Sequence, residues 1–361
     1  MSHIYKPVGW DRSKIVYDLV LIAAAGAFLF LYLRIAPGYA GLDRPFEDMI
    51  ARTHRIQAFG LCAFLMLSVI LCIGPLARLD PRFLPLLYNR RHFGVLTAAV
   101  AFAHIGFVLD WYFAFAPIGR WEGLFTANVS YGQLLGFPFE LFGLAAFVIL
   151  MVLALTSHDF WMRFLTPRVW KGVHMTIYAA YALVVAHVAF GYLQSSDGAI
   201  APAVVVGAAS VVCVLHLLAA GRERRIDGER RAIEAGWMSL GPWPAFYEET
   251  PLNRAKIVSL PDGERVAVFR HARGLSAVSN VCAHQQGPLG EGRILPDGCI
   301  TCPWHGFQFD PETGCAPPPF DDRIETYRLR LTGETIELET APQPLGAKTP
   351  SLPIAGAPQE G

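Results

Sequence analysis

Cys282-Ala283-His284 and, after seventeen intervening residues, Cys302-Pro303-Trp304-His305 place two thiols and two imidazoles in paired short motifs. Thiolate sulfur and imidazole nitrogen are ligands for zinc. They also hold a [2Fe–2S] cluster in which two His replace two Cys on one iron. In the second case each motif contributes one thiolate and one imidazole, so that one iron takes both Cys and the other both His. Cys-x-His is an unusual spacing for a zinc knuckle. Cys299 and Cys315 lie close by in the sequence and are expected to be structural free thiols.

A second set of ligand-type residues lies in very different surroundings. His104, His174, His187 and His216 fall inside long apolar stretches, and His92 and His54 at the edges of others. An ionisable side chain at membrane depth is costly and marks a functional candidate. His104 follows Arg91 by 13 residues and His187 follows Lys171 by 16. At a rise of about 1.5 Å per residue these are roughly 20 and 24 Å along parallel spans, in the outer half of a core about 30 Å thick. Imidazoles from two facing helices can fill both axial positions of a haem iron; alternatively each can hydrogen-bond across helices. Two at matched depth, with His174 thirteen residues below, point to haem.

The elements that must carry these residues divide the chain. Of 361 residues, 53% are hydrophobic and 17% charged, more apolar than an ordinary soluble protein. Residues 1–220 hold 15 Lys/Arg and 11 Asp/Glu, whereas residues 221–361 hold 15 and 19. These figures exclude a disulfide scaffold, a disordered chain and a basic nucleic-acid binder. Six stretches near the length of a span are predicted to cross the membrane: 15–35, 56–76, 93–115, 136–156, 172–194 and 201–220. One side collects 15 Lys/Arg in short loops and the other 5, which predicts both termini and the polar half in the cytoplasm of an inner-membrane protein. The expected organisation is a six-helix bundle over 1–220, a basic juxtamembrane linker over 221–236, an all-β domain over 237–340 and a disordered proline-rich tail over 341–361. The linker is also a candidate for binding anionic lipid. Alternating residues such as Arg265–Phe269 and Thr335–Leu338 supply the strands, and Leu295-Pro296-Asp297-Gly298 a turn. Asn128-Val129-Ser130 fits a glycosylation sequon, with no role assigned.

Two resemblances sharpen this. Arg90-Arg91-His92-Phe93-Gly94 with Ala103-His104, and Leu155-Thr156-Ser157 with Trp170-Lys171-Gly172-Val173-His174 and His187, resemble the ferric-reductase-like transmembrane domain over about 15–220. That resemblance implies b-type haem, one or two, on His104, His174 and His187, with His104–His187 as the outer pair. The two-haem members carry their inner span-3 histidine fourteen residues before the outer one. His92 stands twelve before His104, which makes it the weaker inner candidate. The Cys/His motifs, with Gly287-Pro288-Leu289 and Gly306-Phe307-Gln308-Phe309-Asp310, resemble the two loops of Rieske domains over about 237–340. The high-potential respiratory type has an extra disulfide and a serine at the cluster. Gly287, Trp304 and Phe307 occupy those positions here, which implies the lower-potential, ferredoxin-like type.

The chain contains neither Gly-x-Gly-x-x-Gly nor Cys-x-x-Cys-His, and no histidine follows His305. No hydride-accepting domain, c-type haem or mononuclear-iron site is therefore expected in it. The expectation is a membrane oxidoreductase passing single electrons from a cytoplasmic donor, a flavin reductase or ferredoxin, through the cluster to haem. From there they would pass to a quinone, a metal chelate, dioxygen or a periplasmic acceptor. The competing expectation is a haem-free, membrane-anchored Rieske carrier or sensor serving a partner enzyme.

Overall fold

The computed structural model of the chain describes residues 12–35, 44–87, 89–115, 119–193, 200–228 and 231–354. Nine helices come first among these: α1 (Arg12–Ile35), α2 (Arg44–Leu79), α3 (Leu84–Leu87), α4 (Arg90–Phe115), α5 (Arg120–Thr126), α6 (Glu140–Leu155), α7 (Asp159–Met175), α8 (Ile177–Leu193) and α9 (Ile200–Gly228). Helices satisfy their own backbone polar groups, which lipid cannot do. Side-chain hydroxyls inside the spans do the same: Ser68 donates to the Phe64 carbonyl at 2.8 Å and Thr97 to that of Phe93 at 2.9 Å. Phe64, Leu67, Ala101, Leu150, Ala180, Tyr181 and Val205 form the helical core, while Leu19, Phe30, Phe102, Val148 and Leu217 face outward.

Among the described residues, five segments are long and apolar enough to span: Lys14–Arg34, Met49–Leu79, Arg90–Tyr112, Arg168–Gly191 and Ala203–Gly228. The expected span over 136–156 contracts to the 16 residues of α6, about 24 Å against a core of about 30 Å. Residues 136–139 are apolar but stay outside the helix, because Gly136 turns at φ 75° and Pro138 follows. Ahead of Pro167, Thr166 breaks α7 at φ 65°, as residues before proline avoid helical geometry.

The rest is an antiparallel β domain. Its strands are β1 (Ile233–Glu234), β2 (Trp237–Pro242), β3 (Ala255–Ser259), β4 (Arg265–His271), β5 (Gly274–Ser279), β6 (Arg293–Ile294), β7 (Ile300–Thr301), β8 (Gln308–Phe309), β9 (Thr326–Tyr327), β10 (Leu329–Thr332) and β11 (Thr335–Glu339), with helix α10 (Trp243–Glu249) after β2. They form three sheets, ordered β1-β2-β11-β10, β3-β4-β5-β9 and β6-β7-β8. One core gathers Met238, Phe246, Val268, Leu275, Tyr327 and Ile336. A second, beneath the Cys/His motifs, gathers Phe269, Leu289, Ile300, Phe307 and Phe309.

Two expected boundaries are corrected. The linker is helical as far as Gly228, because α9 continues through it. There Asp227 receives both Nε and Nη2 of Arg265, at 2.8 and 2.7 Å, and Glu223 pairs with the same guanidinium. The tail is ordered as far as Ile354. Leu352 exchanges backbone bonds with Leu275 at 2.8 and 2.9 Å, Thr349 bonds Thr326 side chain to side chain at 2.6 Å, and Leu352 and Ile354 pack on the first core. Composition hid this because two apolar residues and an edge to pair with are enough to anchor a short segment. The remainder of the expected tail, 355–361, lies outside the described residues. Ending the chain at Thr340 should therefore lower stability by about 3 kcal/mol, from the two apolar side chains alone; a thermal melt would show it.

Candidate functional site

The two Cys/His loops repeat one backbone design. The amide of Cys282 bonds the Gly287 carbonyl at 2.9 Å and the Gln286 amide returns to Cys282 O at 2.8 Å. The amide of Cys302 bonds Phe307 O at 2.8 Å and the Gly306 amide returns to Cys302 O at 2.9 Å. Both loops turn through a left-handed residue, Gln286 at φ 55° and Gly306 at φ 69°. The turns aim backbone amides at sulfur, those of His284 and Gln285 at Cys282 and those of Trp304 and His305 at Cys302. Burial resists ionisation of Cys302, but the Cys282 thiol and the two amides outweigh it and hold the group below the ordinary thiol range. Thiolate is the form that ligates metal.

The four side chains sort by element type. Cys282 and Cys302 are buried and hydrogen-bonded to each other, while the half-buried rings of His284 and His305 stand 5.4 Å apart. Among the described residues, no three Cys, His, Asp or Glu side chains converge as they would around one ion. A sulfur pair beside an imidazole pair suits two irons better than one zinc. Phe307, at the position of the respiratory serine, stacks flat on His284 at 4.9 Å. Gly287 abuts the sulfur: a Cβ there would lie 2.9 Å from Cys302 Sγ. Cys299 and Cys315 are half-buried free thiols.

Just beyond the first loop, burial pushes the Glu291 carboxyl up to about 7. Arg78, Arg222 and Arg265 pull the other way and Glu223 adds to the rise. Its side chain is 13% exposed, with Arg78 Nε at 3.5 Å. The folded protein thus keeps a proton that the unfolded chain releases, so this contribution to stability is present below the ordinary carboxyl value and is lost as pH rises through 7. Wild type should lose up to roughly 3 kcal/mol more than Glu291→Gln between about pH 5 and pH 8, read by thermal unfolding.

In the helical bundle, His104 on α4 and His187 on α8 line one cavity of about 1060 Å³. Their ring centres are 6.3 Å apart with planes at 79°. Two imidazoles bonded at about 2 Å on opposite sides of one metal have ring centres roughly 6 Å apart. His104 Nδ1 donates to Ile56 O at 3.0 Å and His187 Nδ1 to Phe139 O at 2.9 Å, which leaves Nε2 as the ligating nitrogen of each. Gly60 and Gly143 make room: a Cβ on either would come within 2.9 Å of His104 or 2.7 Å of His187. The residues present fit a bis-imidazole group.

The other histidines differ. His92 Nδ1 meets Asp18 of α1 at 2.7 Å. His174 stacks on Trp170 at 3.8 Å and bonds its carbonyl, with Nε2 buried and without a hydrogen-bond partner. His216 is bound to Val212 O and Tyr178. Sequence reasoning set His54 at a span edge and passed over Glu140, Gly60 and Gly143, all four of which line the His104–His187 cavity. His54 stacks on Tyr32 at 4.9 Å. The 3.6-residue spacing of Gln57, Gly60, Leu61 and Phe64 was the available signal, but it marks a helix face without saying what that face meets.

Apolar spans carrying a facing histidine pair, joined to a β domain with paired Cys/His loops, define a two-part membrane protein. Residues 245–328 match the Rieske [2Fe-2S] domain, and residues 59–185 match the ferric reductase like transmembrane component. The anthranilate 1,2-dioxygenase ferredoxin subunit of Burkholderia cepacia is 32% identical over 111 residues, 30% of this chain and 94% of that one. The protein-methionine-sulfoxide reductase heme-binding subunit MsrQ of Xanthomonas oryzae pv. oryzae is 34% identical over 159 residues, 44% of this chain and 65% of that one. Cholesterol 7-desaturase nvd 1 of Ciona intestinalis is 36% identical over 66 residues, 18% of this chain and only 14% of that one. The chain belongs to the Rieske [2Fe-2S] family, with a ferric-reductase-like transmembrane domain ahead of the Rieske domain.

Proposed function

We propose that this chain moves single electrons between a [2Fe–2S] cluster held by Cys282, His284, Cys302 and His305 and b-type haem held by His104 and His187. The haem half rests on one observation above all: two histidines 6.3 Å apart in one cavity, each with Nδ1 committed to a carbonyl. Both groups supply one-electron chemistry when bound, without hydride. Cys302 Sγ, held below the ordinary thiol range, would supply thiolate charge at the cluster site, with the Trp304 and His305 amides stabilising it. The half-buried imidazoles form its outer edge. Phe307 offers no hydroxyl and Gly287 no disulfide, so the cluster potential should lie near the negative end of the range, about −150 mV. His174, with its orphaned Nε2, is the candidate for a second haem; His92 is the weaker one, being bonded to Asp18.

The loop charges favour an inner-membrane protein with the Rieske domain in the cytoplasm, reduced by a flavin reductase or ferredoxin. Electrons then leave towards a quinone, a metal chelate or a periplasmic acceptor. The full chain in vesicles, with a ferric chelate trapped inside and reduced donor outside, tests this. Chelate reduction that is lost in Cys302→Ser and in His187→Ala supports the reading; a loaded protein that reduces none refutes it.

A further inference from the structure

A carboxylate opens onto the same cavity as the two histidines. Glu140 begins α6 and is 6% exposed. Its Oε1 accepts from the Tyr112 hydroxyl of α4 at 2.8 Å and from the side-chain amide of Asn128 in the preceding loop. Gly123 of α5 lets Tyr112 approach, since a Cβ there would lie 2.9 Å from its ring. Two donors, from α4 and from the loop before α6, thus converge on one oxygen.

That oxygen anchors the turn that sets His187. Phe139, the residue before Glu140, supplies the carbonyl that His187 Nδ1 bonds, and its ring lies 5.4 Å from the imidazole. Gly143, one turn further along α6, lies against the same ring, where a Cβ would come within 2.7 Å of it. A carboxylate at a helix start favours the helix dipole wherever it points. Such a role does not require burial against an apolar cavity, where ionisable groups are costly, and Glu140 lines the same cavity as His187.

We propose that Glu140 is a positioning residue for His187, and that its charge lowers the reduction potential of the iron held by His104 and His187. The inference rests on the haem reading above. An oxidised bis-imidazole iron site carries one more positive charge than a reduced one, so a nearby carboxylate in a low dielectric favours the oxidised form.

Redox titration of the purified full chain tests it. Glu140→Gln keeps the shape and a bonding oxygen but removes the charge; haem content should hold and the midpoint should move up. Glu140→Ala should also change the low-spin ferric EPR signal, as the His187 ring loses its anchor. A wild-type midpoint in a fully loaded Glu140→Gln overturns the proposal. Should that variant load no haem, Tyr112→Phe decides: a shifted midpoint supports the proposal and an unchanged one overturns it. Retention of all haem by His187→Ala would instead sink the haem reading, a separate failure.

Discussion

Replacing His187 with alanine is expected to abolish the b-type optical band of the outer site, and His104→Ala to do the same. Each imidazole is fixed by a carbonyl bond and a glycine from a neighbouring helix, so each substitution removes a ligand already set in place. Mutating groups that merely orient a ligand lowers metal affinity roughly 10–100-fold; losing the ligand itself should exceed that. Gly143→Leu belongs to the first class. Its Cβ alone would lie 2.7 Å from the His187 ring, so the ring must turn and affinity should fall within that range. His174→Ala should leave the outer band intact. Haem quantified per chain separates these outcomes, and wild-type content in His187→Ala would place the outer iron elsewhere.

The second large effect is expected in the β domain. Gly287→Ala should strip the cluster from most of the protein, although position 287 is not a ligand. Its Cβ would sit 2.9 Å from Cys302 Sγ and 3.1 Å from the Trp304 ring, and both belong to the loop that must close on the cluster. Overpacking of this kind costs about 1–3 kcal/mol, roughly a tenfold loss of affinity or more. Gly298→Ala is the control. It strains a turn at φ 84° but has nothing within 4 Å of its Cβ, so it should lose stability and keep the cluster. EPR intensity per chain reads both. A fully loaded Gly287→Ala would show that the second loop can yield, which the account denies.

The Cys/His loops were legible because their ligands sit in contiguous motifs, where spacing nearly determines geometry. The histidine pair was legible because apolar spans make an imidazole conspicuous and the helical rise converts residue counts into depth. Glu140 and Gly143 were not legible: their meaning depends on α6 facing α8, a packing that periodicity alone leaves open. The fourth expected span, 136–156, was overdrawn because residues 136–139 are apolar yet break the helix. Asn128 read as a sequon, and its contact with Glu140 appears only once the loop before α6 is in place. The tail failed for a related reason, since pairing of Leu352 with Leu275 is a property of the domain edge and not of the tail.

The most direct test of the central claim is a redox titration of the purified full chain followed by optical and EPR spectra together. The account predicts a Rieske-type signal from the reduced cluster and, in the same sample, a reduced b-type band, with at least one haem per cluster. Removing Cys302 should erase only the first, and removing His187 should erase the outer band alone. A preparation containing zinc in place of the cluster, or one whose helical half binds no haem while the cluster is fully loaded, would contradict it.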